Sequence, residues 1–239
     1  MDTCPERCGR RDGDVADTAG SSRRTGAGGA VDKLALNAIS DIADYWNVQY
    51  AKTFPGVLKP VTRFISWDST APRAQAVEFC RGSTYQEVNA AYCSADKTIG
   101  FDRGTLLPGL VQKFGPMSVV MVLAHEYGHS IQAQAKLNGF FTPTVVREQQ
   151  ARKLAISGAD SAGLRAACFS GAYSTKLSQP GSDLQLSATD LDAAISGLLM
   201  DGVAAADVNG AVVPSGFVRL EAFRTGVLDG EDACLKTYK

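Results

Sequence analysis

Histidine is scarce in this chain, with two among 239 residues. Also missing is any apolar run of about 18 residues, so no segment reads as a membrane span. The N-terminus lacks the apolar core of a signal peptide, which predicts a soluble chain, with membrane attachment only through a segment absent here. Charge of either sign is not in excess: 24 Lys and Arg face 25 Asp and Glu. That balance supplies no general field for nucleic acid or an anionic membrane, so polyanion partners are not expected. Residues Met1 to Ala30 lack hydrophobic periodicity and mix Gly, Ser, Arg and Asp. Such a segment buries too little apolar surface to offset its ordering entropy, and it is expected to be a disordered leader. The chain as a whole is 45% hydrophobic, enough for one sizeable core, and the remainder, 31–239, is expected to be a single domain.

Both histidines occur in one pentapeptide, His125-Glu126-Tyr127-Gly128-His129. On an α-helix, residues four apart share a face, so two imidazoles at this spacing can converge on one metal ion. Glu126, beside the first of them, is placed to hold a metal-bound water and take its proton. The apolar run Met117 to Ala124 precedes the motif, Pro116 suits a first helical turn and Asn138-Gly139 suits a stop. These signals predict one helix of about six turns.

Around it, Val31 to Tyr50 has near-helical apolar spacing, Pro60 to Trp67 alternates as a strand, and Ala90–Cys93 and Thr98–Asp102 read as short strands. Arg103 to Phe114 reads as a helix interrupted early by Pro108. Thr142-Pro143 opens another helix that Gly158 ends; Asp160, Ser187 and Ser215 are expected to cap three more, the last running from Phe217 to Gly226. The fold class is α+β: a small antiparallel or mixed sheet followed by a helical half.

A catalytic zinc keeps three protein ligands and one open position. With no third histidine, the remaining donor is a carboxylate or thiolate, and Glu148, on a helix expected to fold back along the motif helix, is best placed. Asp160, Asp183, Asp190 and Cys168 are weaker candidates. Tyr127 and Tyr173 are available to stabilise an oxyanion, although each has the character of a packed aromatic. A purely structural zinc is disfavoured, since such sites are usually rich in cysteine and none lies near the motif. Among the six cysteines, four could close loops, Cys80, Cys93, Cys168 and Cys234, and spacing leaves three pairings open; free thiols in a cytoplasmic protein are the other reading.

Leu123 to Gln132, Arg147 to Ala151 and Ala167 to Tyr173 together resemble the bacterial neutral zinc metallopeptidases, particularly their actinobacterial, extracytoplasmic members. Similar stretches lie at Arg63 to Trp67, Asn89 to Cys93 and Glu221 to Gly226, so the resemblance covers most of 31–239. It implies a zincin-like fold and a zinc-dependent endopeptidase acting on peptide or protein substrates, with His125, His129 and Glu148 as ligands and Glu126 as general base. It also implies the pairings Cys80–Cys93 and Cys168–Cys234, and with them an extracytoplasmic or secreted location; the alternative is cytoplasmic. The chain departs from the family pattern in the fifteen residues Arg152 to Ala166, inserted where family members run directly from the ligand glutamate into A-D-C-F. Arg152 and Ala167 stand at the two positions where the acidic residue could align, and a second alignment puts Gly163 at the ligand position. This departure motivates an alternative function, an extracellular binding or scaffold domain that retains the motif helix.

Overall fold

The computed structural model describes residues 27–137, 157–179, 184–201 and 216–238. These form α1 (Ala27–Thr53), β1 (Arg63–Trp67), β2 (Glu78–Phe79), β3 (Gly82–Ser83), β4 (Ala90–Cys93), β5 (Thr98–Asp102), α2 (Leu106–Phe114), α3 (Met117–Ala135), α4 (Ser157–Leu177), α5 (Ala188–Asp201) and α6 (Gly216–Thr237). The fold is α+β, with a three-stranded mixed sheet in the order β1-β5-β4. β1 and β5 are parallel, β4 and β5 antiparallel.

The sheet ends in a polar knot that launches the helical half. Asp102, wholly buried at the end of β5, accepts hydrogen bonds from the backbone N–H groups of Ser69, Gly104, Thr105 and Leu106 at 2.8 to 3.1 Å, and from the Ser69 hydroxyl. A carboxylate there satisfies the first N–H groups of α2 and complements its dipole. Pro108 therefore sits in the first turn, where its missing N–H leaves no gap, and α2 starts at Leu106 without the expected interruption. The hairpin β2-β3 turns through Cys80 and Arg81, both at positive φ, and the Cys80–Cys93 disulfide ties that turn to β4.

α3 carries the motif and is the centre of the molecule. Twelve of its nineteen residues are buried, from Met117 to Gln132, and it packs against α1, α2, α4, α5 and β4. A helix apolar on most sides belongs inside a protein, and this one does. It ends at Lys136 in the left-handed conformation, before the expected Asn138-Gly139 stop, which lies outside the described residues.

α1 lays Ala35, Ala38, Ile39, Ile42, Tyr45 and Trp46 into the core, and begins at Ala27, inside the segment expected to be a leader. Trp46 meets Phe169 of α4 edge to face with ring centres 5.2 Å apart, and Tyr45 meets Tyr173 at 5.4 Å. Such pairs each add about 0.5–1.5 kcal/mol beyond burial. Gly158 and Asp160, expected to end one helix and cap the next, both lie within α4. Burial along α4 from Ala162 onward explains this, because tertiary packing outweighs a glycine's modest helix penalty. α6 likewise overruns its expected end at Gly226, reaching Thr237 with a kink at Gly230. Of the two expected caps that are described, Ser187 forms the reciprocal box, exchanging hydrogen bonds with Asp190.

α4 and α6 cross at glycines. A Cβ on Gly226 would stand 1.8 Å from the Cys168 carbonyl oxygen, and one on Gly171 would stand 2.0 Å from that of Phe223. Both obstacles are backbone. Gly226→Ala is therefore expected to force the helices apart and cost about 3 kcal/mol or more, read as a lowered urea midpoint. A midpoint within error of wild type would show that the crossing is looser than this.

Candidate metal centre

The face of α3 that escapes burial is the one bearing the motif. Val122, His125, Glu126, His129 and Ala133 are partly exposed, while Ala124, Tyr127, Gly128, Ser130 and Ile131 are buried. The reason is local: positions 122, 125, 126, 129 and 133 recur at helical spacing and form one stripe. Gly128 serves the opposite purpose. A Cβ there would lie 3.3 Å from the Cα and carbonyl oxygen of Ala166, so the glycine lets α4 approach the motif helix closely.

The two imidazoles lie with ring centres 4.9 Å apart and planes at 85°. Two ligand rings bound to one tetrahedral zinc through nitrogens at about 2.0–2.1 Å would have centres roughly 5 Å apart, so the pair fits such an ion. Both are held neutral. Burial pushes His129 down to about 4; burial, then the His129 ring, then the charge of Arg219 push His125 well below its ordinary value. A neutral imidazole has the lone pair that a metal requires.

These shifts carry a stability consequence. In the unfolded chain each ring takes up a proton near pH 6.5, whereas the folded protein resists protonation. Unfolding is thus favoured by acid: this contribution is fully present above about pH 6.5 and is lost as pH falls toward about 4. Chelator-treated protein is expected to show a melting temperature that drops through that interval, with a shallower drop in His129→Asn. Identical profiles would refute this.

Glu126 is held from the sheet. Its Oε2 accepts the backbone N–H of Tyr92 in β4 at 2.8 Å, fixing the carboxylate beside the imidazoles and next to the outer strand. Behind His129 stands Gln132, whose Nε2 lies 3.4 Å from His129 Nδ1. Gln132 also meets Arg165 and the Ala162 carbonyl of α4. Tyr92, Gln132, Arg165 and Arg219 were not marked by sequence reasoning. Only Gln132 had an available signal, its spacing of three from His129 on the same helix.

Glu148 and Asp183 lie outside the described residues, and Asp160 lies in the opening turns of α4. Cys168 is excluded as a thiolate donor because it is bonded to Cys234, and Asp190 is engaged in the cap of α5. Both implied disulfides are present. Among the described residues, no group of three or more His, Cys, Asp or Glu side chains is arranged to hold a metal. The tyrosines point elsewhere. Tyr127 is wholly buried, its phenol pushed up to about 12 mainly by burial, and Tyr173 donates to Asp41 of α1 at 2.6 Å. Both have the character of packed aromatics, as the sequence suggests.

No helix among the described residues is long and apolar enough to cross a membrane. No curated protein and no solved structure matches the chain. Residues 73–238 match the family described as putative neutral zinc metallopeptidase. That match spans more than half of the sequence and takes in β2 through α6, including the helix on which His125, Glu126 and His129 share a face; the chain belongs to this family.

Proposed function

We propose that the protein is a zinc-dependent endopeptidase in which His125, His129 and Glu148 hold the ion and Glu126 is the general base. The observation that carries this reading is the placement of both imidazoles and Glu126 on the partly exposed stripe of a helix that from Met117 to Gln132 is otherwise buried. Surface histidines with no task would not need a carboxylate fixed beside them by a backbone N–H from another element.

Bound there, zinc would lower the pKa of a water molecule and polarise the scissile carbonyl. The protein does the rest. His125 and His129, kept neutral, each retain one ring nitrogen with a lone pair, which an imidazolium lacks. Glu126, oriented by Tyr92, takes the proton of the attacking water and hands it to the leaving amine. β4 is the outer strand of its sheet among the described residues, so an extended peptide aligned along it would pass Glu126. Two disulfides support an extracytoplasmic location.

A second reading, a binding or scaffold domain, is favoured by one observation: among the described residues, those of α4 that meet Gln132 and Gly128 of the motif helix, Ala162, Arg165 and Ala166, bear no carboxylate. Metal analysis separates the two. Protein purified without chelator should carry close to one zinc per chain, and His129→Ala should carry almost none. Equal and negligible zinc in both would leave the scaffold reading standing.

A further inference from the structure

The amide of Gln132, wholly buried behind His129, has two ends that are not interchangeable. Arg165 Nη1 reaches its Oε1 at 3.3 Å, and since a guanidinium can only donate, the oxygen must face that side. Gln132 Nε2 lies 3.0 Å from the Ala162 carbonyl oxygen, which can only accept, so the NH₂ group must face that one. The two constraints agree. Arg165, 2% exposed, is itself held by the Tyr238 carbonyl, which accepts its Nε at 2.7 Å and also its Nη2. The end of the amide that meets His129 Nδ1, at 3.4 Å, is therefore the donor. A ring nitrogen facing a donor is the acceptor of a neutral imidazole, and the proton is then on the other nitrogen.

We propose that Gln132 is a positioning residue that holds metal-free His129 in the tautomer protonated on Nε2, with Arg165 and the Ala162 carbonyl locking the amide in the orientation that does so. Ligand histidines usually show the reverse: the rear N–H is donated to a carboxylate or carbonyl, leaving the forward nitrogen bare. For His129 to hold a metal through Nε2, its proton would have to move, by exchange with solvent, from Nε2 to Nδ1, and the amide would have to turn its oxygen to that N–H and away from Arg165. Zinc affinity is correspondingly lower than with an acceptor behind the ring. The tautomer stands independently of zinc; its effect on affinity rests on the proposed role of His129 as a ligand.

With two histidines in the chain, ring ¹⁵N spectra of metal-free protein are assigned with a single His125→Ala variant. The expected result is His129 protonated on Nε2 in the wild type. In Gln132→Glu, whose carboxylate accepts from Nδ1–H and still pairs with Arg165, the proton moves to Nδ1. Zinc binding, read by competition with a chromogenic chelator, then tightens by about 10-fold or more. A wild-type His129 protonated on Nδ1 overturns the proposal, and that measurement needs no variant to fold. An unchanged His129 spectrum in a folded Gln132→Glu also overturns it, and unchanged zinc affinity there overturns the effect on affinity. Should the tautomers be as stated while neither protein binds zinc, the role of Gln132 stands and the metallopeptidase reading falls.

Discussion

Glu126→Gln is expected to lower cleavage of an unfolded protein substrate by about 10²–10⁴-fold, the range for loss of a positioned general base. The substitution is nearly isosteric, and its amide oxygen can still accept the Tyr92 N–H that anchors the native carboxylate at 2.8 Å. Folding and zinc content are therefore expected to survive while turnover does not. That separation is the useful part. Loss of activity together with loss of zinc would report damage to the site rather than loss of the base. If the variant instead retains chelator-sensitive cleavage at the wild-type rate, Glu126 is not the base, and the mechanism proposed here is wrong.

The second large effect concerns stability. Removing the Cys168–Cys234 bridge with a double alanine substitution is expected to cost about 4 kcal/mol, because 66 residues separate the two cysteines and restoring the freedom of a loop that long favours the unfolded chain. The Cys80–Cys93 bridge, with a separation of 13, should cost about 3 kcal/mol by the same relation. Urea unfolding of the two double variants tests the order. The late bridge also matters to the site: α4, which it ties to α6, supplies Ala162, Arg165 and Ala166 against the motif helix. Zinc affinity should therefore fall with the late bridge and stay unchanged without the early one. The reverse order of stability, or equal zinc affinity in both variants, would contradict this account.

How much of this was legible in the sequence depends on the range of the interaction concerned. The spacing of His125 and His129 encodes a shared helix face, because both ends of that relation lie within one turn. The strands Ala90–Cys93 and Thr98–Asp102 were equally legible and appear with the expected bounds. Boundaries were misread where tertiary packing took over: Gly158 sits inside a helix whose following residues are buried, and α6 continues past Gly226, where the glycine meets a neighbouring backbone instead of ending the helix. Glycine marks a stop and a close approach with the same letter, and only the neighbour distinguishes them.

The sequence by itself determined the chemistry on α3: two imidazoles, a carboxylate beside the first, and a helix to align them. What surrounds that chemistry was decided by the tertiary structure. Tyr92 comes from a strand 34 residues before Glu126, and Arg165 reaches Gln132 across 33 residues. No local pattern records such pairings, because they exist only once the sheet and α4 have packed on α3, and the free energy that selects them is the burial of surfaces distant in the chain.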